Sequence, residues 1–138
     1  MADVKIEVLR RKYASACEAS PWGEAAAVTV LLGCERIAGD RRFARFVTHD
    51  GVYWDSLLND VSWSDGERFL IATAAGLWTG RAHGADVSGV PSLDDEFYAV
   101  WLAMVTASRT GKVPRAFTHF PPESGMDDQA AEDNGIVG

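Results

Sequence analysis

Residues 62–80 read SWSDGERFLIATAAGLWTG, and this stretch decides the fold. Ser64 and Glu67 have the S-x-x-E spacing of a capping box. In that motif the serine oxygen accepts a hydrogen bond from the backbone N–H three residues later, and the glutamate reaches back to the cap N–H. A helix is therefore predicted to begin at Ser64 and to end at Gly80.

The predicted helix has apolar or small side chains on two opposite faces. At about 100° per residue, large apolar side chains gather on one face and small or aromatic ones on the other. The two sets are Leu70, Ile71, Ala74, Leu77 and Trp78, and Phe69, Ala72, Thr73 and Gly76. A helix of this kind is usually packed by neighbours on both sides, so we predict that it is the central helix of the fold.

Hydrophobic spacing predicts further helices on either side of this one. They cover residues 3–18, residues 21–38 with a short continuation from Asp40, residues 52–60 and residues 93–109. The serine-proline pair at 20–21 and the Ser92-x-x-Asp95 spacing are interpreted as start signals. The glycine-rich connection 79–91 is predicted to be irregular, with a brief extended segment at 87–90.

The predicted fold is all-α, a single-domain orthogonal bundle of about five helices over residues 1–113, followed by an acidic tail at 114–138. A length of 138 residues with 47% hydrophobic and 24% charged residues is typical of one globular domain. The tail carries five acidic residues against Arg115 alone. It offers little apolar surface to offset its ordering entropy, so we expect residues 122–138 to be mobile.

Charge and hydropathy limit the partners and the cellular location that we expect for this protein. A formal net charge of −7 opposes affinity for nucleic-acid phosphates, so no nucleic-acid partner is expected. The sequence shows neither a signal peptide nor an apolar run of about 18 residues, and we predict a cytoplasmic protein without a membrane segment. Cys17 and Cys34 are expected to be buried apolar thiols rather than a disulfide framework.

The sequence contains none of the common short motifs of catalytic and cofactor-binding sites. It contains no phosphate-binding glycine loop, H-E-x-x-H or G-x-S-x-G, so we predict no catalytic residue, no cofactor and no metal. The segment that starts at Asp60 fails as a calcium loop because Asp65, not Gly66, falls at the sixth position, where that loop needs glycine. The acids at 94–96 are interpreted as charges that suit a helix N-terminus.

Two hypotheses for function remain open. The first is a non-catalytic cytosolic helical protein that acts through protein–protein interaction, as an adaptor or regulator, with another protein or a second copy of itself as the partner. Its contact residues would be Arg41, Arg42 and Arg45 on an arginine face, together with Tyr98 and Leu102, which fall opposite the apolar stripe of their helix. Trp22 and Trp63, at helix starts, are also expected to be exposed.

The alternative hypothesis is a small-molecule binding protein or enzyme. Its pocket would lie between the helices that begin near residues 64 and 93. His83 and Asp86 share the glycine-rich connection and would line the mouth of this pocket. His49 and His119 are expected to be solvated.

Overall fold

The computed structural model of the chain describes residues 3–117. This segment forms seven α-helices and two short 3₁₀ helices, and its only β-type pairing is an isolated bridge between Val47 and Val52. The α-helices are α1 (Val4–Ala19), α2 (Gly23–Leu32), α3 (Glu35–Ala38), α4 (Arg41–Ala44), α5 (Trp54–Asn59), α6 (Asp65–Thr79) and α7 (Asp95–Thr110). The 3₁₀ helices are Val87–Ser92 and Arg115–Phe117. The all-α prediction is confirmed.

Part of the predicted tail lies outside the described residues. The predictions that fall from position 118 onward are the acidic tail beyond that point, the mobility of residues 122–138 and the solvation of His119. The carbonyl of Phe117, the last described residue, accepts a hydrogen bond of 3.0 Å from the Arg10 guanidinium, so the chain reaches position 117 beside α1.

The capping box that opens α6 forms as the sequence predicts. The backbone N–H of Glu67 donates to Ser64 Oγ at 3.3 Å, and the backbone N–H of Ser64 donates to the Glu67 carboxylate at 2.9 Å. Gly80 ends the helix with φ of 74°, a left-handed conformation that glycine adopts without a side-chain clash. Both ends of α6 are therefore set by local chemistry.

The most deeply buried helix is α2, not α6. Every residue from Ala25 to Leu32 is buried, and α2 contacts α1, α6 and α7. A helix that is apolar on all sides belongs inside a core, because each of its faces needs a covering neighbour. Gly23 lets α2 approach α7 closely, since a Cβ at this position would collide with the Ser108 carbonyl. The α6 helix contacts α2, α5, α7 and the first 3₁₀ helix, so neighbours cover it on more than one side.

Several predicted helix boundaries were wrong. The helix predicted over 21–38 divides at Gly33 and Cys34, where an extended residue separates α2 from α3, and this raises the helix count above five. Its N-cap is Trp22 rather than Ser20, and no side-chain hydrogen bond caps it. The helix predicted to begin at Leu93 begins at Asp95.

The local contacts at the start of α7 explain why this helix does not begin at Leu93. Asp94 adopts the extended N-cap conformation, and its carboxylate accepts the Phe97 N–H at 2.8 Å. Ser92 cannot serve as the cap because it already belongs to a 3₁₀ helix. That helix occupies the segment predicted to be extended, and the Asp86 carboxylate caps it by accepting the Ser88 N–H at 2.9 Å.

The tryptophans divide between the core and the surface. Trp63 is buried, which contradicts its predicted exposure, and its indole N–H donates to the Leu57 carbonyl at 2.9 Å. Trp22 is 41% exposed, as expected, and its ring packs on those of Tyr13 and Trp78 with centroid distances of 6.1 and 5.5 Å. This cluster joins α1, the entry to α2 and α6.

The two cysteines lie in the core as free thiols. Burial raises the pKa of Cys17 and of Cys34, which keeps both thiols protonated and weakly nucleophilic. Among the helices of residues 3–117, none has the length and hydropathy that crossing a membrane requires.

Candidate functional site

Helix α7 presents one buried and one exposed apolar face. Its buried residues are Phe97, Val100, Met104 and Ala107. On the opposite side Tyr98 is 44% exposed, Leu102 46% and Val105 37%. Large apolar side chains that water reaches to this extent cost free energy in a monomer and mark a contact surface when they are contiguous.

The exposed side chains of α7 continue into an apolar groove beside α6. The Tyr98 ring stacks on Trp101 with a centroid distance of 6.3 Å, and Trp101 lies 6.2 Å from the Phe69 ring of α6. Trp101 and Val105 line a groove of about 250 Å³, and the strongly exposed Val87 of the first 3₁₀ helix lies on the same groove. We name Tyr98, Leu102 and Val105, with this groove at their side, the α7 face.

The predicted arginine face surrounds a larger and more polar groove. Arg41, Arg42 and Arg45 line a depression of about 550 Å³ together with Lys5 of α1 and Asp40. Arg41 and Arg45 are exposed. Both therefore present their charge to solvent at the rim of this groove.

Arg42 has a structural role within the arginine face. Its guanidinium holds the Asp40 carboxylate at 2.8 Å, donates to the Ser62 carbonyl at 2.8 Å and lies 4.6 Å from the centroid of the Trp63 ring. The hydrogen bond from Arg42 lowers the pKa of Asp40 below its ordinary value. Arg42 thus ties α4 to the segment that precedes α6.

Arg36, near the arginine face in sequence, is used to anchor α7. It forms ion pairs with Asp94 at 2.9 Å and with Glu96 at 2.8 Å, and its guanidinium lies 3.8 Å from the centroid of the Phe97 ring. The pKa of Asp94 is lowered, chiefly by the hydrogen bond from the Phe97 backbone N–H and then by Arg36. Two of the three acids at the start of α7 are therefore engaged within the fold.

His83 has partners that the sequence did not indicate. Its Nε2 lies 2.9 Å from Thr79 Oγ1, and the Thr79 hydroxyl donates to the Ala75 carbonyl at 2.8 Å. The Thr79 hydroxyl therefore links His83 to the last turn of α6. On the other side of the ring, Nδ1 lies 3.8 Å from the Asp55 carboxylate. Neither partner has a signal in the sequence, because His83 lies beyond the end of α6, where helical spacing no longer applies, and Asp55 is distant in sequence.

The structure does not bring His83 and Asp86 to one cavity. His83 lines the apolar groove of the α7 face, whereas Asp86 lines a separate cavity of about 330 Å³ with Arg68 and Leu93. The backbone N–H of Ser88 is the main cause of the lowered pKa of Asp86. Asp86 is therefore a helix cap, and the partner nearest to His83 across the fold is Asp55.

The described segment gathers no set of three histidine, cysteine, aspartate or glutamate side chains that could hold a metal ion. Comparison with known proteins found no match to this chain among protein-family profiles, curated protein sequences or solved structures.

Proposed function

We propose that this chain is a non-catalytic cytoplasmic protein that acts as an adaptor or regulator by binding a protein partner through the α7 face. The observation that carries the proposal is the exposure of Tyr98, Leu102 and Val105 on consecutive turns of one helix. Their positions follow i, i+4 and i+7, so they form one continuous stripe along α7.

The chemistry of the α7 face suits a protein partner. Tyr98 is a rigid aromatic side chain with a polar end, a type enriched in the centres of protein interfaces. Leu102 and Val105 supply the apolar area whose removal from water stabilises a complex. The groove beside Trp101 gives a partner side chain a place to insert.

The arginine face provides a second, polar contact in this proposal. Arg41 and Arg45 carry charges that can pair with carboxylates of a partner, while Arg42 remains bound to Asp40. Charge pairs of this kind contribute more to association rate and specificity than to affinity. We therefore expect charge reversal of Arg41 and Arg45 to weaken partner binding less than disruption of the α7 face does.

The test compares partner capture by three forms of the protein. Tagged wild type, Leu102→Glu and Val8→Glu are expressed in the source organism, and retained proteins are quantified by mass spectrometry. Val8 is the matched control because it is 42% exposed, close to the 46% of Leu102, but lies on α1. A true partner loses at least about tenfold of its yield with Leu102→Glu and keeps it with Val8→Glu. Equal yields of every captured protein from all three forms would show that no partner binds through the α7 face.

The small-molecule alternative is favoured by one specific observation, the placement of His83 beside an apolar groove. Its side chain is nearly buried, with Thr79 on one ring nitrogen and Asp55 near the other. Such a site would bind a small apolar ligand with one polar group that His83 contacts.

Native mass spectrometry of protein purified from its source separates the two functions. A bound ligand adds a fixed mass that Ala85→Trp removes, because Ala85 lines the groove and a tryptophan there fills it. Leu102→Glu retains that ligand because Leu102 is not among the residues of this groove. A protein that carries no added mass in either form contradicts the alternative.

A further inference from the structure

We infer that the partner of the α7 face is a second copy of this chain, with the two α7 helices antiparallel across a two-fold axis at Leu102. This inference rests on the proposed function. It is carried by the charges at the two ends of the α7 face.

The first step is the spacing of the exposed residues. Asp95, Tyr98, Leu102, Val105 and Arg109 are all exposed and follow one another at intervals of three, four, three and four positions. This is the a and d spacing by which two helices pack along a common seam. At about 100° per residue, all five lie within about 60° of Leu102, on the side of α7 opposite its buried residues.

The second step is the symmetry of the charges. Asp95 and Arg109 each lie seven positions from Leu102, on opposite sides of it. When two copies pair antiparallel about Leu102, Asp95 of one copy stands beside Arg109 of the other, and the symmetry creates this ion pair twice. A parallel pairing would instead place Asp95 beside Asp95 of the other copy and Arg109 beside Arg109, so that like charges meet.

The third step is the fit of the apolar residues. An antiparallel pairing about Leu102 brings Tyr98 of one copy level with Val105 of the other, to within about one residue of helix rise. The two Leu102 side chains meet at the axis. An aromatic ring then covers a β-branched side chain on each side of a central leucine pair.

The two charged residues of the seam, Asp95 and Arg109, remain available for a partner. Arg36 binds Asp94 and Glu96, whereas neither Asp95 nor Arg109 forms an ion pair within residues 3–117. An isologous interface needs a surface that is complementary to itself. The α7 helix meets this requirement because an acidic residue, three apolar residues and a basic residue follow one another along its exposed side.

The first experiment is sedimentation equilibrium of the full chain over a range of concentrations. Wild type is expected to form a reversible dimer. Leu102→Glu places two carboxylates at the axis, and we expect it to raise the dissociation constant at least about 30-fold. Val8→Glu, on α1, is expected to leave the dissociation constant unchanged. Circular dichroism confirms that each variant remains helical.

The second experiment tests the antiparallel register by charge exchange. Asp95→Arg faces Arg109 of its partner with a like charge, and Arg109→Asp faces Asp95 in the same way. Each variant alone is expected to dimerise about tenfold more weakly than wild type, because the repulsion occurs twice. A one-to-one mixture of the two variants forms a heterodimer in which both pairs are again opposite in sign. The mixture is therefore expected to recover the wild-type affinity.

The outcomes separate this inference from the proposed function. A wild-type chain that stays monomeric at all concentrations overturns self-pairing, while the capture experiment still decides whether the α7 face binds another protein. A dimer that Leu102→Glu leaves intact overturns self-pairing through the α7 face, because self-association then uses another surface, and the capture experiment again decides whether this face binds another protein. A dimer that Leu102→Glu dissociates but that both charge variants leave unweakened overturns the antiparallel register.

Discussion

At the scale of single residues, two glycines with the same backbone dihedral have different surroundings. Gly80 and Gly111 end α6 and α7, each with φ of 74°. Apart from Gly80 and its two chain neighbours, no described residue has an atom within 4 Å of the place that a Cβ would take at Gly80, whereas a Cβ at Gly111 would lie 2.6 Å from the Cβ of Pro21. The Gly111 carbonyl also accepts the Trp22 N–H at 3.1 Å. Gly111 therefore ends α7 and also holds the entry to α2 against it.

Alanine substitution separates these two contributions. Gly80→Ala is expected to lower the free energy of unfolding by about 1 kcal/mol, the cost of a left-handed alanine. Gly111→Ala carries the same backbone cost and also displaces Pro21, so we expect a loss of about 2 to 4 kcal/mol. Urea denaturation measures both values. Equal losses would show that the contact with Pro21 adapts without cost.

A second residue-scale prediction concerns the pH dependence of stability. The Asp40 carboxylate accepts hydrogen bonds from the Arg42 guanidinium and backbone N–H, and the first of these is the main cause of its lowered pKa. A carboxyl whose pKa is lower in the folded state adds stability above its unfolded pKa of about 3.9, and this stability is lost as the pH falls through the folded value.

Asp40→Asn removes this titration and keeps a side chain that can cap α4. Wild type is expected to be the more stable protein at pH 7, and its advantage is expected to vanish as the pH falls below about 4. Urea denaturation of both proteins between pH 2 and pH 7 gives the comparison. A stability difference that does not change with pH would contradict the assignment to the Asp40 charge.

At the scale of secondary-structure elements, the start of α7 combines a cap with an ion pair. Asp94 accepts the Phe97 N–H and binds Arg36 of α3, whereas the neighbouring Asp95 does neither. The two aspartates share the same helix end and differ in these contacts. They therefore form a matched pair for measuring what the cap contributes.

Asp94→Ala is expected to lower the free energy of unfolding by about 1 to 2 kcal/mol, mostly through the lost cap. Asp95→Ala is expected to cost at most about 0.5 kcal/mol through the helix dipole. Both are measured by urea denaturation in a Leu102→Glu background, so that self-association does not contribute. A larger loss for Asp95→Ala than for Asp94→Ala would rule out the assigned cap.

Elements set by local chemistry were predictable from the sequence, and those set by tertiary contacts were not. The α6 boundaries follow from a capping box and a terminal glycine within one segment. Trp63 was misjudged because its burial depends on Leu57 and Arg42, which lie outside its own turn. The Asp55 contact of His83 was missed for the same reason. In the candidate site, the helical periodicity of residues 93–109 sufficed to place Tyr98 and Leu102 opposite the apolar stripe, and the structure shows both exposed.

At the scale of the whole molecule, the fold is arranged around α2. This helix is covered by α1, α6 and α7, and its neighbours meet water on their outer faces. The sequence of α2 is apolar without a clear stripe, so periodicity alone could not reveal its central position. Its burial means that α2 cannot open without separating the three helices around it.

Native-state hydrogen exchange tests this arrangement. Backbone amides of Val28 to Leu32 are expected to exchange only through global unfolding, with the highest protection in the chain. Amides of the two 3₁₀ helices, Val87–Ser92 and Arg115–Phe117, are expected to exchange through local opening and to be the least protected among the described helical segments, because neither helix buries a residue. Higher protection in α6 than in α2 would show that α6 is the centre of stability.

The aromatic cluster of Tyr13, Trp22 and Trp78 gives the molecule a built-in optical reporter. The two indole rings lie 5.5 Å apart and are inclined by 33°, a geometry in which their electronic transitions couple and produce a signal in near-ultraviolet circular dichroism. Trp22 belongs to the entry of α2, whereas Trp78 belongs to α6. The intensity of this coupled signal therefore reports whether the entry to α2 is packed against α6. It can be recorded on the unlabelled protein, including variants in which Trp101 of α7 is replaced.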